Sequence, residues 1–429
     1  MLRLAAFLSL FVTMLPLYGA EASPEKLKLV VVISRHGVRA PIASEMRDNL
    51  YNAQPWAKWP VAPGVLTQHG ADALRLMGSF YREHYAGLLG GTECDHAGVF
   101  AIANNSQRTI ASAHALLAGL APGCPVEVHA RQGRERDPLF GQATFSDAAD
   151  HDKLAAAILG RLGGRIDWWP NGYRQQLGDL QAILLDCAGP DCDKNKQKLL
   201  DSPSEIKAVP DGEIVSIETP VSIGADFAEH FLLQYTEGLP MEQMGWGRVS
   251  REKLDDLMAM NTSYHDFILR TPYFAQIAAS NVAYRLDATL EQAASGKKDA
   301  DALAPLADRF VLLAGHDSNE TWLGGLLGLS WLLPDQPRDA TPPGSGFVFE
   351  LYQNTATGRD TVRVLFASQT LDQMRFLISL EGKEQPSLVP VFVPGCSEAA
   401  PGYPCDLKVF SRIVRGAIDE KFVDHSGKP

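Results

Sequence analysis

The sequence predicts an α/β fold: a mixed central sheet flanked by helices and interrupted by a mainly helical inserted cap domain. Three observations carry this expectation. Leu27 to Ile33 is apolar except for Lys28, and Leu29 to Ile33 reads as a strand buried on both faces of a sheet. Two further short apolar runs, Gly98 to Ala103 and Val311 to Ala314, each lead into a polar loop as the first does. Between them, from about Gly133 to Lys298, strand signals thin out and helical patterns take over.

Lys26 to Ala130 reads as strand, loop, helix, strand, helix, strand. Thr67 is the N-cap expected for a helix whose apolar residues Leu74, Met77, Phe80 or Tyr81, Tyr85 and Leu88 recur at helical spacing. Ile110 to Leu120, rich in Ala and Leu, is a second helix. In the insertion, Gly224 to Leu239 gathers Ala228, Phe231, Leu232, Tyr235 and Leu239 on one face and meets stop signals at Gly238 and Pro240. Gln292 to Asp301 reads as a polar surface loop. Strands resume at Arg309 to Ala314, Gly346 to Tyr352 and Thr361 to Phe366. A chain of 429 residues exceeds the roughly 250–300 at which a single core stops growing. The expected division is 23–132 with 299–429 for the α/β lobe and 133–298 for the helical insertion.

The first 22 residues have the layout of a secretory signal peptide: a basic start at Arg3, a mostly apolar stretch from Leu4 to Tyr18, and small residues at Ala20 and Ala22 before a cleavage point. A periplasmic or secreted protein with no membrane attachment after cleavage is expected. Six cysteines, Cys94, Cys124, Cys187, Cys192, Cys396 and Cys405, suit an oxidising compartment. Their order along the chain pairs them as neighbours, one of several connectivities that six cysteines allow. The net charge of −12 disfavours nucleic acid and anionic membranes as partners. Composition leaves monomer and homodimer both open.

The loops after the three apolar runs carry the chemistry. The first is Arg35-His36-Gly37-Val38-Arg39-Ala40-Pro41, the second contains Arg108, and the third is Gly315-His316-Asp317-Ser318-Asn319. In an open α/β sheet, loops at the carboxyl ends of the strands line the ligand crevice. Arginine forks match phosphate geometry and stay charged, while a neutral imidazole beside them can act as a nucleophile. A phosphoryl group is therefore the expected ligand, carried by a small anionic substrate that a local positive site on an otherwise acidic protein would focus. No His-Glu-x-x-His spacing or P-loop is present, so no metal or cofactor is expected.

RHGVRAP at 35–41 with His316-Asp317 resembles the histidine acid phosphatase family, the branch of the histidine phosphatase superfamily marked by RHGxRxP and a distant HD pair. Ser106 to Thr109, Phe231 to Tyr235, Gly245-Trp246-Gly247, Thr341 to Gly344 and Phe347 to Glu350 extend the resemblance to bacterial periplasmic glucose-1-phosphatases and phytases. The resemblance implies an α/β lobe with a helical cap and an acid phosphomonoesterase working through phosphohistidine. His36 would be the nucleophile and Asp317 the acid, protonated at the first step. Arg35, Arg39, Arg108 and a protonated His316 would bind the phosphoryl oxygens. Possible pocket residues are Ile42, Glu229, Ser318 and Asn319, although on its helix face Glu229 reads as solvated, and Ser318 and Asn319 as residues that shape the loop. Phytases commonly follow RHGxRAP with Thr-Lys, and here Ile42-Ala43 stands instead, which favours sugar phosphates such as glucose-1-phosphate. A phytase is the alternative. A phosphotransferase or mutase is the next, against which the leader and Asp317 both favour hydrolysis.

Overall fold

The computed structural model describes residues 25–426 apart from 90–93, 95–97, 134–135, 191, 194 and 210–213, so the leader lies outside the described residues. The first part of the chain forms strand β1 (Glu25–Arg35), helices α1 (Gln68–His84) and α2 (Ala86–Leu89), strand β2 (Val99–Ala103), helix α3 (Gln107–Leu120) and the short strand β3 (Val128–His129). The middle is mainly helical, with α4 (His151–Arg161), α5 (Arg174–Leu185), the hairpin β4 (Glu205–Ala208) and β5 (Val215–Glu218), α6 (Pro220–Thr236), α7 (Arg251–Tyr264) and α8 (Pro272–Ser295). The last part comprises β6 (Phe310–Gly315), α9 (Asp317–Leu327), β7 (Gly346–Asn354), β8 (Asp360–Ser368), α10 (Leu371–Phe376), β9 (Ser387–Val391), β10 (Cys405–Asp406) and α11 (Leu407–Ala417).

One sheet of eight strands organises the molecule, in the order β10-β8-β7-β1-β6-β2-β3 with β9 also on β8. β1, β6, β2 and β3 run parallel, while β7, β8, β9 and β10 extend the sheet by antiparallel pairing. The predicted mixed sheet is thus present. Successive residues of β1 point to opposite faces, and both faces are covered. Val30 and Val32 join Met77, Phe80, Tyr81, Leu116 and Leu117 of α1 and α3, whereas Leu29, Val31 and Ile33 join Leu286, Leu290, Trp322 and Leu323 of α8 and α9. Double coverage is why this strand reads as a continuous apolar run rather than an alternating one. The second cluster continues without a break into the middle segment through Leu177, Phe227, Leu257 and Met260.

Two details set the loop after β1. The Thr67 hydroxyl accepts the Gly70 N–H at 2.9 Å, as an N-cap should, and so starts α1 where expected. A Cβ on Gly70 would lie 2.3 Å from the Val38 carbonyl oxygen, so only glycine lets α1 pack this closely on the RHGVR segment.

The periodicity reading misplaced two boundaries. α6 starts at Pro220, before Gly224, because Thr219 and Ser222 close a reciprocal capping box. Gln292 to Asp301 is not wholly a surface loop: α8 continues to Ser295, and buried Gln292 donates to the Ala304 carbonyl at 2.8 Å while accepting from the Asp299 N–H. A polar side chain that satisfies loop backbone groups looks in sequence like one that faces water.

The cysteines pair as Cys94–Cys124, Cys187–Cys192 and Cys396–Cys405, with Cα separations of 5.1, 5.7 and 5.2 Å. Thiol titration of the denatured, unreduced protein is expected to find no free thiol; two or more would contradict this pairing.

Candidate active site

Register places the three loops together. Arg35 of β1 lies opposite Gly315 of β6, and Ala103 of β2 opposite Ala314, so β1, β6 and β2 end at one edge of the sheet. His36, His316 with Asp317, and Arg108 on the first turn of α3 emerge there. The His36 and His316 rings meet edge to face with centroids 5.5 Å apart.

His36 is buried, and its Nδ1 lies 2.8 Å from the Gly37 carbonyl oxygen. A carbonyl only accepts, so Nδ1 carries the proton and the Nε2 lone pair of the neutral ring is free. Burial, then Arg39, Arg35, Arg108 and His316, hold the imidazole well below its ordinary range. It remains neutral in mildly acidic solution.

The three arginines are held differently. Arg35, almost fully buried, donates through Nη1 to the Thr341 carbonyl and through Nη2 to Glu229, with Asp317 Oδ2 3.3 Å from the same nitrogen. Arg39 is gripped by Glu45, with Nη1 and Nη2 donating to its two carboxylate oxygens at 2.9 and 2.6 Å. Arg108 makes no ion pair with a carboxylate among the described residues, and burial together with Arg39 brings its pKa down to about 10. All three have a buried Nε–H with no partner. Unpaired buried donors are costly in a folded protein, and these three belong to the arginines whose charges all act on the His36 imidazole.

Several carboxylates complete the cluster. Glu320, fully buried on α9, accepts the Arg35 backbone N–H at 2.8 Å and the Ser345 hydroxyl at 3.0 Å. Burial raises its pKa well above the usual range, against the pull of Arg35. Glu229 corrects the expectation of a solvated helix face: α6 is buried almost all round, and its carboxylate pairs with Arg35 in the interior. Burial raises it as well.

Asp317 is the first residue of α9 and accepts the Ser318 N–H at 2.7 Å. Burial pushes its carboxyl upward, but Arg35, His265 and His316 outweigh that and lower it below its usual range. The expected protonated Asp317 is therefore not its resting state. His316 is corrected too. Burial, Arg108, Arg39 and Arg35 lower its pKa to about 3 against the pull of Asp317, so the free site holds it neutral. Its Nε2 faces Asn104 Oδ1 at 3.0 Å.

A cavity of about 400 Å3 opens beside Asp317 and is lined by Ile42, Glu229 and Ser318. Ser318 and Asn319 are not loop residues, since both lie in the first turn of α9; Asn319 closes the start of that helix, with Oδ1 accepting the His316 N–H at 2.9 Å and Nδ2 donating to the Phe140 carbonyl at 3.0 Å. Sequence reasoning missed Glu45, Glu320, Asn104 and His265. His265 begins a π-helical turn after α7 and lines the same cavity. The Thr341–Gly344 segment, which in sequence offers only a resemblance, holds the motif in place together with Ser345. Gly344 N–H donates to the His36 carbonyl at 3.0 Å and Arg35 N–H to the Ser345 carbonyl at 2.8 Å.

Residues 26–367 match the histidine phosphatase superfamily, branch 2. The chain belongs to that family. It is similar to the phytase AppA of Escherichia coli, with 33% identity over 96% of this chain and 98% of the relative. It is also similar to a glucose-1-phosphatase of Salmonella typhimurium, with 28% identity over 93% and 94%. Among solved structures, the apo form of Hafnia alvei phytase superposes with a TM-score of 0.83 at 29% identity, over 94% of this chain and all of that one. This histidine phosphatase is a phosphoric monoester hydrolase. No helix among its described residues is long and apolar enough to cross a membrane.

Proposed function

We propose that His36 attacks phosphorus through Nε2, forming a P–N bond as the ester P–O bond breaks, and that water then cleaves the phosphohistidine. The observation that carries this is the free Nε2 of His36 among three unpartnered guanidinium Nε–H groups. Those donors, from Arg35, Arg39 and Arg108, match the nonbridging oxygens whose charge must be stabilised during transfer. Asp317 donates a proton to the leaving oxygen in the first step and takes one from the attacking water in the second. Because it rests ionised, the proton arrives with the substrate, since a phosphate monoester is largely a monoanion below its second pKa of about 6. His316 is neutral when the phosphoryl group enters and gains a reason to protonate only beside that anion.

The preferred substrate is a monophosphate with an uncharged leaving group, such as glucose-1-phosphate. Among the described residues, the cavity lining includes the carboxylates of Glu45, Asp226, Glu229 and Asp317 and no lysine or arginine. Arginines on the far side compensate these carboxylates: Arg39 pairs with Glu45, Arg47 with Asp226, and Arg35 with Glu229 and Asp317. Inside this cavity a second phosphate would therefore meet acidic side chains and no lining lysine or arginine. The phytase reading has its own support in the 33% identity to the Escherichia coli phytase. With glucose-1-phosphate, p-nitrophenyl phosphate and phytate compared at equal ionic strength, kcat/KM is expected to be at least about tenfold lower for phytate, as one uncompensated charge contact would give. A ratio favouring phytate would move the protein to the phytase reading.

Asp226, Glu229 and His265 reach the crevice from residues 133–298, which supports reading that segment as a cap domain. The basic-apolar leader and three disulfides support action in the periplasm or outside the cell.

A further inference from the structure

Glu45 lies a few residues beyond the RHGVRAP motif and occupies an unusual position. Both of its oxygens take N–H groups from the outer edge of Arg39, and Oε2 also accepts the Ile42 N–H at 2.9 Å. Three charge-assisted or backbone donors on one carboxylate, with the side chain only 12% exposed, fix its place. It does not compete for the phosphoryl group being transferred, because the Nε–H on the other edge of Arg39 is the unpartnered one. It does line the cavity that opens beside Asp317, where a leaving group would sit, next to Ile42 and Ser318.

We propose that Glu45 is a specificity-determining residue: it neutralises the leaving-group edge of Arg39 and turns that edge against substrates carrying a further phosphate. This rests on the assignment of His36 and the three arginines as the phosphoryl site. Arg39 alone would offer a second anion its outer fork, two N–H groups in the geometry phosphate prefers. With Glu45 in that fork, the same place presents carboxylate oxygens instead. A polyphosphorylated leaving group must then displace a bidentate ion pair or approach it against like charge. A monophosphate with a neutral leaving group meets neither obstacle.

The test is competitive inhibition of p-nitrophenyl phosphate hydrolysis by inorganic phosphate and by phytate, at fixed pH and ionic strength, in the wild type and Glu45→Gln. Glutamine keeps the size and one acceptor oxygen but not the charge. Ki for phytate is expected to fall by about tenfold or more, while Ki for phosphate changes by less than about threefold, because only the second anionic group senses Glu45. A parallel shift of both constants would mean that Glu45 merely orients Arg39 and would overturn the proposal, as would no shift in either. Should Glu45→Gln fail to fold, Ala43→Lys provides the second variant. It sets an ammonium on the exposed neighbour of Ile42 and should lower Ki for phytate severalfold; an unchanged value counts against Glu45 as the barrier. If the wild type fails to hydrolyse p-nitrophenyl phosphate at all, it is the phosphoryl-site assignment that fails, not the role of Glu45.

Discussion

His36→Ala is expected to lower kcat by at least about 10^4-fold with every substrate and to leave no phosphoenzyme after acid-free quenching, because no other side chain can replace the lost nucleophile. Leaving-group quality should not rescue it, since the missing bond is to phosphorus rather than to the departing oxygen. Asp317→Asn provides the contrast. The carboxamide cannot act as the acid, so alkyl phosphates should lose far more activity than p-nitrophenyl phosphate, whose leaving group needs little protonation. Equal losses on both substrates would remove Asp317 as the acid, and a trapped phosphoenzyme in His36→Ala would remove His36 as the nucleophile.

The same pair of residues sets the pH profile. His36 must be neutral to attack, and its pKa is lowered well below 6.5. Activity should therefore survive as pH falls through 6.5 and fail only well below it. Rising pH removes the proton that the substrate monoanion carries, so kcat/KM should decline above about pH 6. An acid limb centred near 6.5 would show that the guanidinium groups do not depress the imidazole.

Arg35→Met carries the second large effect, and it combines two losses. Turnover should drop by about 10^3-fold or more, as expected on removing a fixed donor to the transferring oxygens. Stability should also fall by about 3–5 kcal/mol, because Glu229 and Asp317 lose their shared cation in the interior. The Thr341 carbonyl loses its donor as well. Arg108→Gln should separate the two losses. Arg108 makes no ion pair among the described residues, so its loss should cut activity by about 10^2–10^3-fold while changing stability by less than about 1 kcal/mol. Urea unfolding and steady-state rates on both variants decide it. If Arg35→Met is as stable as wild type, the buried pairing with Glu229 is not what holds the site.

Much of this architecture is written locally. Leu29 to Ile33 alternate between two covered faces, and a β-branched run this short, closed by a glycine-containing loop, fits a strand inside a sheet. Thr67 caps α1 through an oxygen three residues from the N–H it accepts. Such features depend on neighbours in the chain. Residue order alone therefore specifies the α/β class, the strand-loop placement of His36 and Arg39, the strand-end placement of Asp317, and the kind of chemistry they serve. The cysteine pairs were legible for a similar reason, because each joins two cysteines that are consecutive along the chain.

Charge state and partnership came from packing instead. Glu229 sits on a helix whose pattern is compatible with solvent, yet the fold buries it against Arg35, 194 residues away in the chain. Glu320 receives the Arg35 N–H across 285 residues. Asp317 and His316 were expected protonated, and the fold holds the first ionised and the second neutral. Desolvation and Coulomb interaction depend on distance in space and on the surrounding dielectric, neither of which the order of residues specifies. The residue types at the site follow from the sequence, and their protonation follows from which strand ends the sheet brings together.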